Sequence, residues 1–261
     1  MIKKTFLYAL GGMLIFTSCK KDDNAATTPD RDLAYVSFTN ANSSSKTLTV
    51  FVDQKQVNAT AIAVNATMNG VYGGFAAGDR ALLVRDAAVT TPPPVDLYSG
   101  NIALEAGKAY SFFQYGVLTG GTLKGILLNT DNVPDKAGNA KVRFLNIANG
   151  STAPAVDFVM VRREGSVEKD SIVLFSGLAP LASMSSPDIA ALSPHKSIAG
   201  NRAANATPGV AVGTYNLKVK VAGSNTLIAS SAGVTVVPGR NYTYYLRGTY
   251  PSVALSSVID Y

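Results

Sequence analysis

The sequence predicts an all-β chain built as two tandem β-sandwich domains of immunoglobulin-like type, and three observations carry that prediction. Short apolar–polar alternations recur between turn residues, as in Val36-Ser-Phe38 and Val142-Arg-Phe144. That is the period of a strand with one buried face. No segment past the N-terminus has a convincing helical period. Third, the chain repeats itself. Ala34-Tyr-Val-Ser-Phe-Thr-Asn40 returns as Ala140-Lys-Val-Arg-Phe-Leu-Asn146, and Gly78-Asp-Arg-Ala-Leu-Leu-Val84 as Gly213-Thr-Tyr-Asn-Leu-Lys-Val219. Gly107-Lys-Ala-Tyr-Ser-Phe-Phe-Gln-Tyr-Gly116 returns as Gly239-Arg-Asn-Tyr-Thr-Tyr-Tyr-Leu-Arg-Gly248. Three echoes in one order mark a duplication, and two copies are too few for a solenoid.

Each copy reads as six or seven short strands, the count of an immunoglobulin-like sandwich. The strand around Val36 or Val142 is followed by Thr47–Val52 or Ala155–Val161. Next come Ala81–Arg85 or Tyr215–Val221, then Ile102–Leu104 or Val234–Val237. Gly107 and Gly239 fall in tight turns before Tyr110–Tyr115 and Tyr242–Leu246, which carry bulky groups on both faces and should be central. Leu123–Leu128 and Val253–Ile259 close the copies. The boundaries follow: a first sandwich over 33–134 and a second over 139–261, the second longer by an insertion at about 162–208.

Val142-Arg-Phe-Leu-Asn146 with Ala153-Pro-Ala-Val-Asp-Phe158 and Gly213-Thr-Tyr-Asn-Leu217 resembles the domain of unknown function 4397 family. Leu104-Glu-Ala-Gly-Lys-Ala-Tyr110 is similar to that family's late-strand motif. The resemblance spans nearly all of 33–261. It implies tandem immunoglobulin-like modules of exported bacterial lipoproteins, with no activity attached. In the first copy Ser43-Ser44-Ser45-Lys46-Thr47 replaces the proline-containing turn.

The N-terminus agrees with export. Two lysines precede the 12-residue apolar run Phe6–Thr17, and small residues close it. A membrane-spanning helix needs roughly 20 residues, so the run reads as a cleaved signal over 1–18. Phe16-Thr17-Ser18-Cys19 resembles a lipobox, with Phe16 where Leu is commoner. Cys19, the only cysteine, would then carry the lipid and anchor the chain to the membrane. Lys20, Lys21, Asp22 and Asp23 look like the surface-export signal of Bacteroidota-type lipoproteins, which implies an outer-membrane, cell-surface placement. A periplasm-facing lipoprotein is the alternative. Residues 19–32 would be anchor and flexible linker, with a reach on the order of 20 Å. That short reach would leave the second sandwich and its insertion the better placed to meet a partner.

Composition excludes several classes. Without Lys3 and Lys4, the 23 basic residues become 21 against 17 acidic, a net +4 spread along the chain. No basic stripe with interleaved aromatics suggests nucleic acid. A Ser-His-acid triad would have to use His195, the lone histidine, in a Pro/Ser-rich loop without a nucleophile elbow. Zinc wants several His or Cys ligands, and no calcium-loop pattern occurs. We therefore expect no catalytic residues, no metal site and no cofactor. The aspartates sit mostly at strand ends and turns, where they bond their own backbone.

Binding is the class left standing, with a protein or glycan as partner. Tyr242 and Tyr244 share one strand face and read as core. Phe113 and Tyr245 occupy matching positions on the opposite face, suited to the second face of a central strand, a domain–domain contact or a ligand platform. Tyr72 and Phe75, in the Gly-rich segment 70–78, are the expected exposed aromatic tip. The charged run Arg162–Asp170 reads as a hairpin tip, and Leu178–Pro208 as an Ala/Ser/Pro-rich loop. Asp170-Ser171-Ile172 resembles a bacterial O-glycosylation triplet at Ser171. The expected function is a non-catalytic binding or adhesion module. The alternatives are a structural subunit docking onto an outer-membrane assembly and, more weakly, a carbohydrate-active enzyme.

Overall fold

Two four-stranded sheets are laid down twice along the chain. The computed structural model describes residues 32–68, 72–90, 92–119, 122–130, 139–181, 196–199 and 213–260. The first half holds β1 (Leu33–Asn42), β2 (Leu48–Val52), β3 (Lys55–Gln56), β4 (Gly73–Ala76), β5 (Gly78–Asp86), β6 (Asp96–Leu104), β7 (Ala109–Thr119) and β8 (Thr122–Thr130). The second holds β9 (Asn139–Asn146), β10 (Val156–Glu164), β11 (Val167–Leu178), β12 (Lys196–Ala199), β13 (Gly213–Val221), β14 (Leu227–Val236), β15 (Asn241–Thr249) and β16 (Ser252–Ile259). Sheet orders β4-β1-β7-β8 and β3-β2-β5-β6 recur as β12-β9-β15-β16 and β11-β10-β13-β14. Among the described residues there is no α-helix.

The repeated motifs have physical reasons. In each copy the first strand runs parallel to the aromatic one, setting Phe38 beside Phe112 and Phe144 beside Tyr244. Their inward rings join the facing sheet's aliphatic residues into one core per sandwich. Gly107 and Gly239 have φ of 75° and 73°, a left-handed turn that side chains resist. Tyr110 and Tyr242 hold that turn, their hydroxyls accepting from the Glu105 amide at 3.1 Å and the Val237 amide at 2.9 Å. The echo ends in asparagine because Asn40 and Asn146 donate to main-chain carbonyls of neighbouring segments, those of Ile62 and Leu178.

A third apolar layer lies between the sandwiches. The faces of β7 and β8 turned away from their own core carry Phe113, Ile126 and Leu128, which meet Leu145, Tyr245 and Val258 of β9, β15 and β16. The chain is therefore four sheets deep, and Asp32–Tyr261 forms one compact unit.

Candidate functional site

Phe113 and Tyr245 pack on each other within this third layer, with ring centroids 5.5 Å apart and edge to face. Neither is exposed at all, so neither is a ligand platform; they are the contact between sandwiches. A polar network lies beside them. Asp260, 3% exposed, accepts from Ser111 Oγ at 2.9 Å and from Thr243 Oγ1. Arg143, fully buried, donates from Nε to Thr243 Oγ1 at 3.0 Å and from Nη1 to the Asn129 carbonyl at 2.9 Å. Its Nη2 lies 3.6 Å from Asp260 Oδ2. Burial lowers the Arg143 pKa and Asp260 works against that shift.

Tyr72 belongs to the same network, which corrects its expected place at an exposed tip. It is half-buried, with its hydroxyl 3.0 Å from Ser111 Oγ and 3.3 Å from Thr130 Oγ1. Burial first, and the Asp260 charge second, push its phenol up to about 12. A tyrosine in a Gly-rich segment looks solvated in sequence; the partners that bury it lie 39 and 58 residues away.

Phe75 is also half-buried rather than a free tip, its ring standing edge-on to Phe38 at 5.9 Å. Its other surroundings make a site with binding character. At the open side of the first sandwich, β3 and β4 end their sheets as edge strands and leave a cleft of about 570 Å³ between them. That lies within the usual range for ligand pockets. Val57, Met68 and Phe75 line it with apolar surface, and Asp53, Lys55, Gln56 and Arg80 with polar groups. Asp53 and Gln54 form the two-residue hairpin turn with φ of 48° and 66°, a left-handed pair suited to short loops. From there Asp53 accepts from Arg80 Nη1 at 3.2 Å, while Arg80 Nε donates to the Ala76 carbonyl at 2.8 Å. Arg80 thus clasps hairpin to edge strand. Lys55, exposed at the rim, has no ion-pair partner among the described residues.

The second sandwich closes the equivalent place. Val52 faces Leu82 and Met160 faces Leu217, positions that the Gly78 and Gly213 echoes make equivalent. Outside them Lys55 pairs with Val52 and Ile172 with Met160. Where the first copy has Lys55, the second therefore has an isoleucine packed on its core, followed by buried Leu174 and half-buried Phe175. Lys196 of β12 lies over the Phe175 ring at 4.6 Å and donates to the Leu174 carbonyl. Edge is stitched to edge.

The chemistry of the cleft is that of recognition. Asp53 is its one carboxylate and is already bound to Arg80. No group of three or more His, Cys, Asp or Glu gathers among the described residues. In the insertion, Arg162–Glu164 and Val167–Asp170 flank a turn at Gly165, with Arg162 Nε 2.7 Å from Asp170 Oδ1. Arg162, Glu164, Lys169 and Asp170 satisfy one another on the hairpin, Glu168 pairs with Lys218 of β13, and Arg163 Nε has no hydrogen-bond partner among the described residues. Ser171 lies mid-strand in β11, exposed, opposite Val161. Cys19, Lys20, Lys21, Asp22, Asp23, His195 and most of Leu178–Pro208 fall outside the described residues. No helix among the described residues is long and apolar enough to cross a membrane.

Comparison with known proteins adds a family. No curated protein matches the chain. Among solved structures, one described as "a putative cell adhesion protein" from Bacteroides uniformis is similar at 10% identity, covering 88% of this chain and 98% of that one, with a TM-score of 0.20. A leucine-rich repeat protein from Bacteroides thetaiotaomicron is similar at 12% identity, covering 84% of this chain but 26% of that one, with a TM-score of 0.16. Superpositions so poor carry no argument. Residues 34–159 match the family model described as "Domain of unknown function (DUF4397)", a span that takes in β1–β9 and the start of β10. Residues 34–159 are thus the stretch of this chain that the family's model describes.

Proposed function

We propose that this chain is a non-catalytic binding module, anchored to the outer membrane through acyl chains on Cys19 and turned outward, with the cleft between β3 and β4 as its recognition site. The cleft carries the reading: it is an apolar-floored, polar-rimmed opening in one sandwich at the place its duplicate fills with its own side chains. The reading puts recognition in the first copy, not in the second copy and its 162–208 insertion, where Arg162, Glu164 and Asp170 pair with one another.

The test uses cells carrying the full chain. Protease shaving should digest it, and crosslinked pull-down should recover a partner. In a Lys55→Cys variant, whose Cys19 is acylated, a bulky maleimide at position 55 should abolish that recovery. Resistance to shaving would sink the outward placement. Recovery undiminished by the label would sink the cleft as the site.

A further inference from the structure

We infer that the cleft takes an extended peptide, whose backbone pairs with the free edge of β4, whose bulky apolar side chain enters over Val57, Met68 and Phe75, and whose carboxylate meets Lys55. This rests on the reading of the cleft as the binding site, and three observations name the ligand. The first is the edge itself. The Ala77 amide donates to the Asp32 carbonyl, and the register sets Ala34 opposite Phe75. Alternation then turns the backbone of Phe75 toward β1 and that of Gly74 and Ala76 away from it. Arg80 takes the Ala76 carbonyl; the Gly74 amide and carbonyl have no partner among the described residues. A glycine with an unpaired edge lets another backbone approach closely.

The second observation is what the duplicate puts there. Ile172 and Phe175 of β11 fill the second sandwich's flank, so the space suits aliphatic and aromatic side chains presented from a strand. The third is charge. Arg80 is committed to Asp53, so the uncompensated charge at the rim is the ammonium of Lys55. A ligand with an apolar residue and an acidic one on neighbouring positions satisfies floor and rim together.

The experiment uses the chain from residue 20, since Asp32–Tyr261 forms one compact unit and this form has no other thiol once Lys55→Cys is made. A phage-displayed library of 12-residue peptides is panned on the unmodified form. Enriched sequences should carry Phe, Tyr, Leu or Ile within two positions of Asp or Glu. A synthetic copy of one should lose more than about tenfold in affinity when the thiol of the Lys55→Cys variant carries a bulky maleimide, and about two- to fivefold with Lys55→Gln, the worth of an exposed ion pair. On binding, amide exchange at Gly74 and Ala76 should slow. Enrichment without the apolar–acidic pattern, or binding indifferent to the label, or unchanged exchange at Gly74, each overturns the inference. If a glycan array yields ligands that the label blocks and the peptide library yields none, the cleft stands as a binding site and the peptide falls. If neither library yields a label-sensitive ligand, both fall.

Discussion

Neutralising Asp260 should loosen the whole molecule, because that carboxylate sits where the two sandwiches meet. Asp260→Asn keeps the side chain's size and an oxygen acceptor for Ser111, but leaves the Arg143 guanidinium without its counter-charge. Arg143 has no exposed surface, so water cannot take over. Breaking a buried ion pair from one side costs about 3–5 kcal/mol. For a chain of this size each kcal/mol is about 2–4 °C in Tm, so the variant should melt roughly 6–20 °C lower. Arg143→Met alone removes the buried charge and strands Asp260 instead. Arg143→Met with Asp260→Asn removes both charges. Replacing both partners is often neutral, so the double variant should recover about 2 kcal/mol or more of the summed single losses, on the order of the pair's coupling. Urea unfolding of the four forms at pH 7, followed by circular dichroism, gives the cycle. Loss below about 1 kcal/mol for Asp260→Asn, or simple additivity, would refute the claim that this pair fastens the seam.

Other groups give smaller, separable effects. Burial raises the Asp86 pKa, but Lys46 at 2.7 Å and the Ala88 amide at 3.0 Å outweigh it and hold the carboxyl below its ordinary value. A depressed carboxyl adds stability above its unfolded pKa and loses it as pH falls through the folded one. Asp86→Asn should therefore flatten the acid limb of a stability profile below about pH 4; an equally steep limb would count against it. Tyr72→Phe should cost about 1–2 kcal/mol for two hydrogen bonds. Its raised phenol favours folding below pH 10, a contribution lost as pH climbs towards 12. Since burial also raises Tyr98, Tyr115, Tyr244 and Tyr245, the variant's late alkaline absorbance rise should be smaller by one tyrosine in ultraviolet titration. Tyr244 is buried, and its hydroxyl has no partner among the described residues. Tyr244→Phe removes an unsatisfied buried hydroxyl and should gain about 1–3 kcal/mol in the same urea assay, and a loss above about 1.5 kcal/mol would mean the hydroxyl is bonded.

The duplicated framework was legible because its determinants are local. Val36 and Phe38 alternate within one strand, Gly107 makes its own turn, and Tyr110 bonds a residue five positions upstream. Tyr242 and Tyr244 read as core from alternation, and both are buried. The short edge strands were not legible: β3 has two residues and β4 four, too few to show a period. Alternation also told only half the story of Arg143, Phe113 and Tyr245. It points each away from its own sandwich, but what covers that outer face is the other copy, Tyr245 against Phe113 and the Asn129 carbonyl against Arg143. The cleft is legible only by comparison, since a lysine at position 55 looks ordinary until Ile172 is seen in the same place.

That comparison sets the sharpest trial of whether the opening is a site or merely loose packing. Lys55→Ile gives the first sandwich the residue its duplicate uses. Full burial of isoleucine contributes about 1.5–3 kcal/mol. The cleft covers the position only in part, so about 1 kcal/mol, or 2–4 °C in Tm, is the expected gain. A lysine retained where an isoleucine stabilises is the pattern of stability given up for function. The variant should melt higher in scanning calorimetry and, in the Lys55-dependent assays above, bind less. A gain in stability with binding intact would mean the charge is incidental to recognition. No gain at all would mean that the floor of Val57, Met68 and Phe75 is not open to a side chain, and the case for a cleft that admits one from a partner would go with it.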